Sequence, residues 1–359
     1  MGVNLKSRHF LSMLDFSTEE ILAVLDTAGR LKAGHRRLTL PSPPRGARGA
    51  ARAGSSRLGE NPPESPLGKG KGGSGSTPLN PPFSRGEALP LAGKTLAMIF
   101  QKPSLRTRVS FETGMTLLGG HAIYLSPTDI SLGKRESTED IAMVLSRYVD
   151  LIMARVFGHD IVVDLARHSR VPVINGLSDY EHPCQIMADL LTVLERKGRL
   201  AGLRGCYIGD GNNVAHSLML GAARVGMHFT VITPCGYEPN PEVTQAASEA
   251  GKATGSKIAV SNDLKAAAGA DMVYTDVWAS MGQESEAEAR KKIFKNYRID
   301  AGTMKIADKD CVILHCLPAH YGDEIDYATS RTPNSAIFDQ AENRMHAQNA
   351  LMVHLVGAA

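Results

Sequence analysis

The chain has 359 residues, 43% hydrophobic and 21% charged, the make-up of an ordinary soluble globular protein of about two domains. No run approaches the roughly 20 apolar residues that a membrane helix needs. Residues 1–7 carry neither an apolar signal core nor a myristoylation pattern, because Lys6 stands where Ser or Thr is required. The net charge of +3 is concentrated in residues 41–90, which carry +4 and leave the rest at −1, so nothing suggests a nucleic-acid or anionic-membrane partner.

From the N-terminus, Ser17-Thr18-Glu19-Glu20 has capping-box spacing and opens the apolar pattern Ile21, Leu22, Val24, Leu25, which predicts a helix to about Lys32. Residues 41–90 then hold 10 Pro, 10 Gly and 7 Ser. Such a stretch cannot bury enough apolar surface to offset its chain entropy, and it is expected to be a disordered insertion without a catalytic role. A fold tolerates it because loop-closure entropy grows only logarithmically with length. Beyond it the pattern predicts strands at 95–100, 121–125 and 151–154, and helices at 105–118 and 138–148.

The second half repeats this rhythm. Helices are predicted at 184–197, 214–225, 241–250 and 341–355, and strands at 204–208, 228–233, 259–260, 272–275 and 311–315. The alternation predicts an α/β fold of two doubly wound domains, each a parallel sheet flanked by helices. Residues 1–181 form the first domain, interrupted by the insertion, and 182–340 the second; the closing helix, within 341–359, rejoins the first. Cys184, Cys206, Cys235, Cys311 and Cys316 make an odd set without disulfide or zinc spacing, which fits free thiols in a reducing cytoplasm.

Four segments carry chemistry. Lys102-Pro103-Ser104-Leu105-Arg106-Thr107-Arg108 sits at a strand-to-helix junction, where free N–H groups, two hydroxyls and a guanidinium suit a phosphate dianion. The plain alternative is a capped surface helix with solvated arginines. His182-Pro183-Cys184-Gln185 opens another helix and offers two side chains able to donate hydrogen bonds, three positions apart. Asp276-Val277-Trp278-Ala279-Ser280-Met281-Gly282-Gln283-Glu284 places an acid at a strand end and a small-residue loop after it, with Trp278 read as packing. His315-Cys316-Leu317-Pro318 also follows a buried strand, where a thiol faces the usual ligand crevice of an α/β sheet or is simply a structural cysteine.

Taken together, these segments resemble the aspartate/ornithine transcarbamylase family over nearly the whole chain outside 41–90. Ser-x-Arg-Thr-Arg, His-Pro-x-Gln and His-x-Leu-Pro mark the family, while Ser280-Met281-Gly282 with Cys316 points to the members that act on ornithine. The resemblance implies that the first domain binds carbamoyl phosphate and the second the amino acid, in a homotrimer with active sites at subunit boundaries. Ser104, Arg106 and Thr107, with the amide of Leu105, would hold the phosphate. Arg155 would bridge phosphate and carbonyl, and His182 would donate to the carbonyl oxygen. Gln185, Arg344 and the carbonyls of Cys316 and Leu317 would bind the carbamoyl nitrogen.

For the amino acid the matching positions are Leu177, Asn213, Asp276, Ser280 and Met281. Asp276 and Cys316 are expected to position the attacking amine and assist its deprotonation, the sequence leaving open which acts; no metal or organic cofactor is implied. Two departures stand out. Leu105 replaces a Thr common at that position, removing a hydroxyl but keeping the amide. Ser131 stands where ornithine members frequently carry Gln or His, and Lys134 is a candidate contact to the neighbouring subunit's phosphate. The turn Gly209-Asp210-Gly211-Asn212-Asn213 fails the dinucleotide fingerprint, since Val214 stands where the third glycine belongs. This argues against a nicotinamide dehydrogenase. Other rivals are a transcarbamylase for another amine and a non-catalytic paralogue.

Overall fold

The computed structural model describes residues 3–39, 89–130, 132, 135–279 and 284–359. Nearly all of the stretch read as an insertion lies outside them, as do Ser131, Lys134, Ser280 and Met281. After α1 (Thr18–Thr39), the first sheet is laid down by β1 (Thr95–Phe100), α2 (Leu105–Leu117), β2 (His121–Leu125), α3 (Pro127–Ile130), α4 (Thr138–Leu145), β3 (Leu151–Arg155), α5 (His159–His168) and β4 (Val173–Leu177). Its strands are parallel in the order β2-β1-β3-β4. Helix α6 (Pro183–Lys197) leads to the second sheet through β5 (Arg204–Ile208), α7 (Asn213–Arg224), β6 (His228–Ile232), α8 (Pro241–Thr254), β7 (Ile258–Ser261), β8 (Met272–Thr275), α9 (Ala287–Phe294), α10 (Ala301–Ile306) and β9 (Val312–His315). That sheet is also parallel, in the order β7-β6-β5-β8-β9. Helix α11 (Ile337–Val356) closes the chain against α6, α1 and α2.

The strand–helix alternation thus gives the two parallel sheets expected of it. In each sheet the chain winds outward on one side of a central strand, then returns to build the other. Crevices open at the carboxyl ends of strands where that direction reverses. The loops after β1, β3, β5, β8 and β9 are the ones the chemistry-bearing segments occupy.

Differences from the sequence reading have local causes. Helix α1 runs to Thr39 rather than to about Lys32. Lys32 is not a solvated terminal cation: it is buried, donating to Glu195 at 2.8 Å and Asn343 at 2.6 Å, and so fastens α1 to α6 and α11. Strand β4 was not anticipated, because Pro172, Asn175 and Gly176 look like a turn. Here Asn175 is fully buried and donates to the carbonyl of Leu11, while the backbone of Phe10 pairs beside the strand. Helix α5, the short α3, and α9 and α10 were likewise not anticipated. Trp278 packs, as read, against Phe294 with ring centroids 6.0 Å apart.

Candidate active site

A cleft of about 570 Å³ collects side chains from both sheets and from α2, α6 and α11. On one wall, the N-terminus of α2 is capped by Ser104, whose Oγ accepts from the Thr107 amide at 3.4 Å and donates to Thr107 Oγ1 at 3.1 Å. Leu105 is 75% exposed, so what this position brings to the helix end is its backbone. Arg155, the last residue of β3, reaches Thr107 Oγ1 at 3.5 Å. Arg106 spans the cleft and donates through Nη2 to the carbonyl of Leu317 at 2.9 Å.

The floor is made by α6 and α11. Arg344 donates from Nη1 to Gln185 Oε1 at 2.7 Å and faces His182 Nε2 at 3.3 Å. A guanidinium only donates, so Nε2 of His182 is an acceptor and the ring proton sits on Nδ1. That Nδ1 is buried without a hydrogen-bond partner among the described residues. The His182 backbone is fixed separately, by donation to Ser217 Oγ at 2.8 Å, and Ser217 in turn donates to the buried Glu181 at 3.0 Å. Gln185 donates, as its residue type allows, but to Asp189 through Nε2 at 2.8 Å, and it turns Oε1 toward Arg344.

The opposite wall is acidic and short-armed. Asp276, just past β8, accepts from Cys316 Sγ at 3.0 Å, from Asn212 Nδ2 at 3.2 Å and from the Val277 amide at 2.8 Å. Asn213 donates to the Ser178 carbonyl at 2.6 Å. Leu317 adopts a left-handed φ of 60°, uncommon for a residue with a Cβ. Its amide donates to His315 Nδ1 at 2.9 Å, while His315 Nε2 meets the buried Glu324 at 3.1 Å. The side chains of Asp276, His315 and Cys316 offer ligand atoms within 4.8 Å of one another, but both His315 nitrogens are already engaged.

Electrostatics divides the walls. Burial first, then the charges of Arg344 and Arg106, pushes the Arg155 guanidinium down to about 10. The same burial, with Arg344, Arg155 and Arg106 around it, holds the His182 imidazole well below its ordinary value, so it is neutral. The Cys316 thiol moves the other way, raised by burial and then by Asp276.

The cleft brings together Ser104, Leu105, Arg106, Thr107, Arg155, Leu177, His182, Gln185, Asn213, Asp276, Cys316, Leu317 and Arg344. Ser280 and Met281, also expected for the amino acid, lie outside the described residues. Sequence reasoning missed Ser110, Thr113 and Glu342, which also line the cleft, and the supporting Ser217, Asp189, Gln340 and Asn212. Periodicity gave a faint signal for two of these: Asp189 lies one turn past Gln185, and Gln340 one turn before Arg344.

Two family models match the chain. One, described as the aspartate/ornithine carbamoyltransferase carbamoyl-P binding domain, covers residues 79–195, and the other, the Asp/Orn binding domain, covers 201–355. The ornithine carbamoyltransferase of Pyrococcus abyssi is 44% identical over 358 residues, 99% of this chain and 98% of that protein. The chloroplastic ornithine carbamoyltransferase of Pisum sativum is 55% identical over 269 residues, 75% of this chain and 71% of that protein. Among solved structures, ornithine carbamoyltransferase from Pyrococcus furiosus superimposes with a TM-score of 0.84 at 43% identity, covering 99% of both chains.

Proposed function

The chain belongs to the aspartate/ornithine carbamoyltransferase family, and on that premise we propose how its cleft divides the work of the reaction. The enzyme transfers the carbamoyl group of carbamoyl phosphate to the δ-amine of ornithine, giving citrulline and phosphate. One observation carries the assignment of roles: a single cleft has Arg106, Arg155 and a helix N-terminus on one wall, Arg344 on its floor, and Asp276 with Cys316 on the other wall. An anionic phosphate and a cationic amine are sorted by that polarity before any contact is made.

In this reading Ser104, Arg106, Thr107 and the Leu105 amide hold the phosphate, and Arg155 bridges phosphate and carbonyl. The neutral His182 is the donor to the carbonyl oxygen, where negative charge grows as the amine attacks. Losing one such donor typically raises a barrier by about 2.7–4 kcal/mol. Gln185 Oε1 and the Leu317 carbonyl are acceptors for the carbamoyl NH2, the latter once Arg106 turns to the phosphate. Arg344 holds Gln185 and adds positive charge.

The ornithine amine resembles a lysine amine, with an ordinary pKa of about 10.4, and must lose a proton to attack. Asp276 receives the ammonium. Because the Cys316 thiol is raised, it stays protonated and acts as a donor to Asp276 rather than as a nucleophile. Leu177 and Asn213 flank the amino-acid side. Holding both reactants in line contributes through proximity, worth ~7–11 kcal/mol in well-oriented systems.

We assign residues 1–181 with the closing helix to carbamoyl phosphate and 182–340 to ornithine, in a homotrimer acting in the cytoplasm in arginine biosynthesis. Exposed Tyr148 and Phe157, in the first sheet's half, are apolar surface that an assembly would cover. The free cysteines support a reducing compartment, and among the described residues no helix is long and apolar enough to cross a membrane. The test is citrulline formation from carbamoyl phosphate and ornithine, with aspartate, putrescine and N-acetylornithine in parallel. Strong preference for ornithine is the expected result. Preference for aspartate would discard the role given to Asp276, preference for putrescine or N-acetylornithine would discard ornithine as the acceptor, and turnover with none would favour a non-catalytic paralogue.

A further inference from the structure

Beneath the cleft, and not part of its lining, Asp189 on α6 is 1% exposed. Its Oδ1 receives two amide nitrogens, Gln185 Nε2 at 2.8 Å and Gln340 Nε2 at 2.7 Å. An accepting carboxyl oxygen can be met only by the NH2 end of a carboxamide, so each glutamine must turn its carbonyl oxygen the other way. For Gln185 that oxygen goes to Arg344 at the cleft floor. For Gln340 it goes to the backbone N–H of His315 at 2.8 Å, where β9 delivers Cys316 and Leu317 to the cleft. One buried carboxyl therefore sets both places at which, in the functional reading above, acceptors meet the carbamoyl NH2.

We propose that Asp189 is a positioning residue that locks Gln185 and Gln340 in their acceptor-outward orientation, and so sets the discrimination of carbamoyl phosphate from acyl phosphates that lack the amide nitrogen. A flipped Gln185 would set its own NH2 against the Arg344 guanidinium, donor against donor, and present a donor to the substrate NH2. Arg344 and the His315 N–H favour the same orientations from the oxygen ends, Tyr274 Oη takes a further bond from Gln340 Nε2 at 3.0 Å, and Asp189 is the acceptor that the two NH2 ends share. The second oxygen, Oδ2, has no hydrogen-bond partner among the described residues. Burial, the largest influence, raises the carboxyl to about 7 against hydrogen bonds from Gln185, Gln340 and Tyr274 and the charge of Arg344. A proton on Oδ2 leaves Oδ1 an acceptor, so the lock operates in either protonation state.

This inference rests on the carbamoyl transfer reading, and the wild-type assay with ornithine tests that reading separately. The experiment compares full-length Asp189→Leu and Asp189→Asn with wild type. It measures KM for carbamoyl phosphate and competitive inhibition constants for acetyl phosphate, which carries a methyl group in place of the NH2, and for inorganic phosphate. Asp189→Leu removes the acceptor and is expected to raise the carbamoyl phosphate KM about tenfold, the size of a lost hydrogen bond or two. Acetyl phosphate and phosphate should stay within about twofold. Asp189→Asn keeps an accepting oxygen in the same place and is expected to restore near-wild-type discrimination. Equal weakening of all three ligands, an unchanged KM in the Leu variant, or failure of the Asn variant to restore discrimination would each overturn the proposal. Should Asp189→Leu not fold, Gln340→Leu breaks one arm of the lock; a smaller rise, again confined to carbamoyl phosphate, is expected, and a rise shared with acetyl phosphate overturns it.

Discussion

The two walls of the cleft are built on opposite principles. The phosphate wall gathers like charges: Arg155 is buried beside Arg344 and Arg106, and its guanidinium is pushed down by both burial and their repulsion. The amino-acid wall is balanced within itself, since Asp276 already accepts from Cys316, Asn212 and a backbone amide. The first wall thus sets positive charges against one another, while the acid of the second already holds three donors. An anion that fills the first wall therefore gains free energy from relieved repulsion as well as from its own contacts, whereas a cation at the second must compete with bonds already made.

The comparison is broken most decisively at Arg155. Arg155→Met is expected to lower kcat/KM by about 10²–10³, the scale of one lost transition-state donor. If the wall is strained, the same change leaves the melting temperature of the ligand-free enzyme unchanged or raises it. It also abolishes most of the thermal stabilisation that inorganic phosphate gives wild type through preferential binding to the folded state. A variant that is both inactive and markedly less stable would show that the arginines are held by compensating contacts and that no repulsion is stored.

Asp276→Asn attacks the other wall. It keeps the shape and removes the charge that receives the ammonium, and about a hundredfold loss in kcat/KM for ornithine is expected. Stabilisation by phosphate should persist, because the two walls act on different reactants. If phosphate protection falls with it, the walls are coupled and their separation is wrong.

A smaller effect distinguishes how Cys316 serves that wall. With its pKa raised by burial and then by Asp276, the thiol carries little thiolate at pH 8. Alkylation by iodoacetamide is expected to be several-fold slower there than at the exposed Cys235. Asp276→Asn should speed reaction at Cys316, since it removes the charge that opposes the thiolate. Cys316→Ser, which keeps a donor to Asp276, should retain turnover at roughly a tenth of wild type. Rapid alkylation in wild type would make Cys316 a reactive thiolate and a candidate nucleophile.

The phosphate wall was far more legible in the sequence than its counterpart, for a physical reason. Ser104-Leu105-Arg106-Thr107 is contiguous, and a capped helix N-terminus binds anions by local geometry alone. Arg155, His182, Asp276 and Cys316 could be placed at strand or helix ends, but only the family likeness joined them, because no local rule says which strand ends face each other. The strand at Val173–Leu177 escaped because its Asn and Gly are needed inside: Asn175 ties the N-terminal segment, and Gly176 lends its carbonyl to Arg344. Donor and acceptor sense also escaped. Nothing in His-Pro-x-Gln reveals that Gln185 shows its oxygen; that follows from Asp189 and Arg344, one neighbour a turn away and the other on a helix 159 positions later.

The finest test of the contrast is Leu105→Thr. The side chain at 105 is largely in solvent, while its amide is one of the unpaired donors at the start of α2. If the phosphate wall works through backbone and arginines, adding a hydroxyl here changes kcat/KM by less than about threefold and stability by no more than ~0.5 kcal/mol, as for exposed substitutions generally. Steady-state kinetics with carbamoyl phosphate as the varied substrate, together with thermal unfolding, read both. A tenfold gain in carbamoyl phosphate affinity would mean that a hydroxyl at this position reaches the phosphate and that the wall lacks a contact it could accommodate. The small response expected instead follows from the way charge is supplied here: the Arg106 and Arg155 guanidiniums and a helix end already supply the dianion with donors, and a further neutral donor adds little to them.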